Sequence, residues 1–266
     1  MFHNKNKLLQ YIHDFWHYRD LQKLLILKYI KLKYRRSFLG YVWSILNPLL
    51  IMIVMTVVFS KIFQGSIHNF PVYLFCGNQL FSFMSRSTSM AAISVSSNSA
   101  LIKKTYVPKF VFPVTTVLSC AVELFFSLIA LLVVMIVTNA PFTWNILLFP
   151  LVLIELCIFS IGLGLFLAQA NVFFRDVEFI YSALLTAWMY LTPIFYPIES
   201  ISEKLAFIIK YFNPMYSYIT QFRALVYAGT LPAFQDILTG CLSALLMLCF
   251  GLFCFMKTDD EFIMYI

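Results

Sequence analysis

Residues 111–138 read VFPVTTVLSCAVELFFSLIALLVVMIVT, and Glu123 is their single charged side chain. A helix needs about 20 mainly apolar residues to cross the hydrocarbon core of a bilayer, so this run spans with length to spare. Working outward, further apolar runs of spanning length lie near 41–63, 70–95, 145–171, 177–196 and 235–256, which makes six. The expected fold is therefore an all-α integral membrane protein of six transmembrane helices. Neither an internal repeat nor a low-complexity linker breaks the chain, so 1–266 is expected to form a single domain.

Composition leads to the same class. The chain is 61% hydrophobic and 12% charged, against about 25% charged in ordinary soluble domains. There are too few polar residues to cover an aqueous surface, which excludes a water-soluble fold. The six cysteines fall inside apolar stretches, with no C-x-x-C and no nearby histidine, and read as small packing residues. A formal charge of +7 could point to nucleic acid, but the basic residues crowd against apolar runs. Attraction to anionic lipid and control of topology account for that pattern, so nucleic acid is not an expected partner.

The segment before the first run carries nine Lys and Arg against Asp14 and Asp20, which places the amino terminus in the cytoplasm. With six spans, the loop at 96–110, the turn near Arg175 and the carboxyl tail also lie inside, while the 139–144 loop has no Lys or Arg. No small-residue cleavage site follows the first apolar run, so that span is expected to stay in place as an anchor. Residues 20–36 read as an interfacial helix with snorkelling cations. Asn47 and Pro48 suit either the start of the first spanning helix or a kink inside it. The fifth run is broken by Pro193 and Pro197, and helix continuing from Glu178 rises only about 21 Å before the first of them.

About 40 residues separate the fifth and sixth runs, long for a loop, with apolar pieces bracketed by Pro197, Pro214 and Pro232. Residues 197–234 are expected to form a re-entrant segment sheltered by protein, the alternative being amphipathic helices resting on the bilayer. Ser160, Gly164 and Ala168 recur at four-residue spacing, a small-xxx-small face for close helix packing.

No phosphate-binding loop, zinc-protease motif or nucleophile elbow is present, so the chain has no ATP site of that kind and no catalytic residue is assigned. Three charged residues sit well inside the apolar runs, away from their ends, namely Arg86, Glu123 and Glu155, and each is costly in lipid. Counting along the runs puts both glutamates near the midplane and Arg86 toward the cytoplasmic side. A pair between Arg86 and one glutamate would lock helix packing, the alternative being a proton relay or ligand site. Trp43, Tyr41, Trp144, Trp188 and Tyr190 fit an interfacial aromatic belt, although aromatics facing a pore could stack on sugar rings.

Several short motifs then occur in order along nearly the whole chain: Gly40-Tyr41-Val42-Trp43 with Asn47-Pro48, Lys103-Lys104-Thr105-Tyr106-Val107-Pro108-Lys109 with Phe112-Pro113, and Asn171-Val172-Phe173-Phe174-Arg175-Asp176. Thr192-Pro193-Ile194-Phe195-Tyr196-Pro197 and Asn213-Pro214-Met215 complete the set. Together they resemble the ABC-2 type permeases, in the branch that exports O-antigen, capsule or teichoic-acid polymers.

The resemblance implies a bacterial cytoplasmic-membrane homodimer bound to two copies of a cytoplasmic ATPase. ATP and Mg would sit on the ATPase, and no cofactor on this chain. A polysaccharide linked to undecaprenyl diphosphate would pass between the permeases. Lys103, Lys104, Tyr106, Pro108 and Lys109 would contact the ATPase, with Arg175 and Asp176 beside them. Residues from Pro193 to Pro214 would form the outer gate, giving channel or gate positions at Trp43, Trp188, Tyr190, Pro193, Phe195, Tyr196, Pro197, Asn213 and Pro214. Arg35 and Arg36, at the inner headgroup level, could receive the carrier diphosphate. Rival expectations are an ABC-2 permease for a small lipid or drug, a proton-coupled transporter using Glu123 and Glu155, and a membrane transferase.

Overall fold

A computed structural model of the chain describes residues 3–35, 37–63 and 67–262. It is built of helices joined by short turns, and no strand occurs among the described residues. In chain order these are α1 (His3–His17), α2 (Arg19–Tyr34), α3 (Trp43–Phe63), α4 (Phe70–Ser97), α5 (Ser99–Lys104) and α6 (Val111–Val137). They continue with α7 (Phe149–Phe173), α8 (Val177–Leu191), α9 (Glu203–Phe212), α10 (Pro214–Arg223) and α11 (Phe234–Thr258).

Among the described residues, four helices are long and apolar enough to cross a membrane, at Gly40–Ser60, Val111–Val137, Trp144–Phe173 and Phe234–Thr258. This is a multi-pass membrane protein. The other two expected spans differ for physical reasons. α8 is apolar but has 15 residues, a rise of about 22 Å. α4 has 28 residues but carries several serines, Thr88, Asn78, Gln79 and Arg86. It packs against α3, α6, α7, α8 and α10, and most of its residues are buried. A helix surrounded by other helices meets little lipid, so its polar residues do not have to be dissolved in hydrocarbon.

α7 lies between α4 and α11, and small residues on two of its faces permit the close approach. On one face a Cβ added to Gly164 would stand 2.9 Å from the Ala91 Cβ of α4, with Ser160 and Ala168 fully buried beside it. The expected small-xxx-small face is thus in contact. On the other face Gly162 meets the backbone of Met247 and Leu248, and Gly251 of α11 meets the Gly162 carbonyl.

α2 lies where a leader helix was expected over 20–36, and a further helix, α1, precedes it. Tyr11 stacks on Phe110 with ring centroids 4.7 Å apart, and Phe15, Tyr18, Leu21 and Leu25 pack on the same buried cluster as Phe255 and Phe262. Gly40 then turns the chain with φ of 52°, a left-handed conformation that costs glycine little. Pro48 lies inside α3, so of the two sequence alternatives the one realised is a proline within the helix, which lacks the N–H its fourth-previous carbonyl would bond.

Candidate functional site

A cleft of about 330 Å³ opens between α2, α3, α4 and α6. Its wall is polar for a site inside a membrane bundle, with Asn47, Asn78, Gln79, Ser82 and Ser127 beside Trp43 and Tyr34. Three charges meet there. Lys33 Nζ lies 2.6 Å and Arg86 Nη1 3.0 Å from the same oxygen, Glu123 Oε2. The other oxygen, Oε1, is buried with no hydrogen-bond partner. Burial pushes the Lys33 ammonium below its ordinary value, and the Glu123 carboxylate beside it pulls it back up.

The expected pair of Arg86 with a glutamate is therefore formed with Glu123. Counting residues set Glu123 deeper than Arg86, but the ion pair brings both level with the last turn of the leader. Lys33 was not singled out in the sequence, where it is one of nine leader cations with nothing local to distinguish it. Arg35 is exposed in extended backbone just past α2, and Arg36 lies outside the described residues. Glu155 belongs elsewhere. Its carboxylate accepts from Gln221 Nε2 at 3.1 Å and from the Cys241 thiol at 3.2 Å, joining α7, α10 and α11.

A second polar cluster seals the break after α8. There Pro193 ends the helix and the carbonyls of Pro193 and Ile194 lose their helical donors. The half-buried Arg223 supplies replacements: Nη1 donates to Pro193 O at 2.8 Å and Nη2 to Ile194 O at 3.0 Å. Nε and Nη2 also donate to the Tyr73 carbonyl. Asn213 binds the same region, accepting from Trp188 Nε1 at 2.8 Å, donating to Thr192 Oγ1 at 2.9 Å and capping α10 through Met215 N–H at 3.1 Å. Arg223 was not singled out in the sequence, although it lies in an apolar piece of the expected re-entrant segment, where a lone arginine is itself a signal.

The remaining expected gate positions divide by environment. Phe195 is 5% exposed and stacks on Phe59 of α3 at 5.1 Å, and Pro193 is buried. Tyr190 is exposed, and its carbonyl accepts from the Tyr196 hydroxyl at 2.8 Å. Pro197 and Pro214 are half-buried. α10 is largely buried against α4, α7 and α11, while α9 exposes Phe207, Ile208, Tyr211 and Phe212. Trp43 stands apart from all of these, on the wall of the charged cleft.

At the other end of α4 the basic loop splits. Lys103 and Lys104 are exposed at the end of α5, and Tyr106 is exposed with its carbonyl accepting from Tyr18. Pro108 is half-buried. Lys109 turns inward to Asp259, pairing with its carboxylate at 3.1 Å and with its backbone carbonyl. Tyr11 donates to the same carboxylate at 2.8 Å. Leader, loop and carboxyl-terminal helix thus converge on Asp259. Arg175 and Asp176 are exposed in the turn between α7 and α8.

Known proteins share this sequence pattern. A family model described as ABC-2 type transporter matches residues 21–227. The O-antigen export system permease protein RfbA of Myxococcus xanthus is 32% identical over 87% of this chain and 89% of its own length. A protein of the same name from Klebsiella pneumoniae is 32% identical over 80% of this chain and 82% of its own. A match across most of the described bundle, from the leader to the turn after α10, shows that the chain belongs to the ABC-2 type transporter family.

Proposed function

We propose that this chain is the permease subunit of an ABC exporter that moves a lipid-linked polysaccharide across the bacterial cytoplasmic membrane, driven by a separate ATPase. The observation that carries this reading is the charged, polar cleft beside the leader, in a chain whose relatives are named O-antigen export permeases. A cleft lined by amides, hydroxyls and two cations suits a hydrated, anionic headgroup better than an apolar drug.

On this reading α3, α4, α6, α7, α8 and α11 are six spans, with both termini and the α5 loop in the cytoplasm and the whole chain one domain. The segment 197–234 is re-entrant: the burial of α10 and the capping of the α8 break by Arg223 support this, since irregular backbone at membrane depth must be satisfied by protein. Two copies of the chain enclose the channel, with the residues from Pro193 to Pro214 at its outer gate. Two cytoplasmic ATPase subunits carry ATP and Mg, and this chain uses no cofactor of its own.

Exposed Lys103, Lys104 and Tyr106 are free to meet the ATPase, with Arg175 and Asp176 beside them. Pro108 shapes the loop, and Lys109 ties it to the α11 end. A push on this loop reaches the leader through Tyr18 and Asp259, and from there the cleft. A proton-coupled route through both glutamates has less support, because Glu123 bonds Lys33 and Arg86 whereas Glu155 bonds Gln221 and Cys241.

The test is to delete the gene in its host and locate lipid-linked polysaccharide. Polymer made and held at the cytoplasmic face supports the reading. Normal surface polymer overturns it.

A further inference from the structure

We propose that Lys33 and Arg86 form a phosphate site that Glu123 occupies while it is empty, and that the phosphate group of a lipid substrate displaces Glu123 on loading. The inference rests on the export reading for its substrate, and on the cleft geometry for its residues.

The resident carboxylate fits its partners poorly. Both cations crowd one oxygen, at 2.6 and 3.0 Å, while the other oxygen is buried and bonded to nothing. A carboxylate placed only to lock two helices would do better by giving each cation its own oxygen, as a bidentate arginine pair does. A phosphate has enough acceptor oxygens to bond both cations separately and still take donors from the wall. Such donors stand ready in Asn47, Asn78, Gln79 and Ser82. With Glu123 counted the cleft carries one net positive charge, and with Glu123 withdrawn it carries two. The site thus attracts an anion but holds a substitute in its place until one arrives.

Displacement also has a mechanical consequence. Lys33 lies in the last turn of α2 and ties the leader to α6 through Glu123. The same leader reaches Asp259 through Tyr11 and the Tyr106 carbonyl through Tyr18. Exchanging Glu123 for a phosphate therefore re-ties the end of α2 to substrate rather than to the bundle, and links loading to the loop proposed to face the ATPase.

The experiment measures binding of undecaprenyl phosphate to the purified full-length protein by native mass spectrometry, with undecaprenol as the uncharged control and inorganic phosphate as competitor. The wild type is expected to bind the phosphorylated lipid in preference to undecaprenol. Glu123→Gln is expected to raise its affinity about tenfold, whereas Arg86→Gln and Lys33→Gln each lower it at least tenfold. Should Glu123→Gln fail to fold, Glu123→Asp withdraws the carboxylate by one methylene, with a gain of a few-fold expected. Unchanged or weakened binding in a folded Glu123 variant overturns the proposal, as does loss of stability in all variants with selectivity for phosphate intact. Free phosphate binding more tightly than the lipid overturns the lipid assignment. The deletion experiment separates the two claims: surface polymer lost on deletion with binding unmoved by these variants leaves export standing and removes the site, while normal surface polymer removes the export reading whatever the variants bind.

Discussion

The guanidinium of Arg223 lies 3.4 Å from the centre of the Tyr73 ring while donating to the Tyr73 backbone carbonyl. One residue of α10 thereby clamps the first turn of α4 and, through Pro193 and Ile194, the broken end of α8. Removing it leaves the buried Pro193 and Ile194 carbonyls short of a donor, where each unsatisfied group costs about 1–3 kcal/mol. Arg223→Met is expected to destabilise the outer segment by at least about 2 kcal/mol on that basis. Cys76, fully buried on the first turns of α4, reports the loosening, so thiol labelling during a thermal ramp should begin at lower temperature in the variant. Arg223→Lys, a compact charge that cannot fork between carbonyls, should recover only part of the loss.

The basic loop provides a sharper contrast, because neighbouring lysines have opposite surroundings. Lys103→Gln with Lys104→Gln should leave the melting temperature unchanged and reduce co-purification with the ATPase. Lys109→Met leaves the partly buried Asp259 without its cation and is expected to cost about 1–3 kcal/mol. Thermal unfolding and pull-down with the partner ATPase measure both quantities. Equal behaviour of all three lysines would refute the division.

Close packing of α7 on α11 depends on the absence of side chains. A Cβ on Gly162 would meet the backbone of Met247 and Leu248, which cannot swing aside. Gly162→Ala is expected to destabilise by about 1–3 kcal/mol, the usual range for overpacking. Gly40 faces open space, so Gly40→Ala should cost only about 1 kcal/mol through its positive φ. Detergent melting curves rank the two.

Topology is testable one position at a time. In a chain freed of its native cysteines, Lys104→Cys should react with an impermeant maleimide only after the membrane is opened, and Glu203→Cys should react in intact spheroplasts. Both residues are exposed, at the end of α5 and the start of α9. The same labelling side for the two would rule out the six-span arrangement.

Much of the architecture was legible along the chain. The third, fourth and sixth apolar runs coincide with α6, α7 and α11 to within a few residues, and Pro193 does terminate α8. Glu123 and Arg86 stood out because charge is expensive in lipid. Other features had no local signature. α1 carries mixed leader sequence and is held by Tyr11 and Phe15 against a cluster assembled from Phe110, Phe255 and Phe262. Lys33 resembles every other leader lysine until α2 brings it beside a residue 90 positions away.

The sequence alone determined that this chain lives in a membrane, that it does so as helices, which loops carry positive charge and to which family its motifs belong. These are sums over neighbouring residues, and hydropathy, helix breaking and charge bias need no knowledge of what lies across the bundle. Tertiary structure decided which glutamate Arg86 meets, that Lys109 turns inward while Lys103 and Lys104 stay out, and that Arg223 closes the break in α8. Those outcomes depend on the rotation and relative level of packed helices, and a shift of one residue, about 1.5 Å and 100° around the axis, would send each side chain to a different partner.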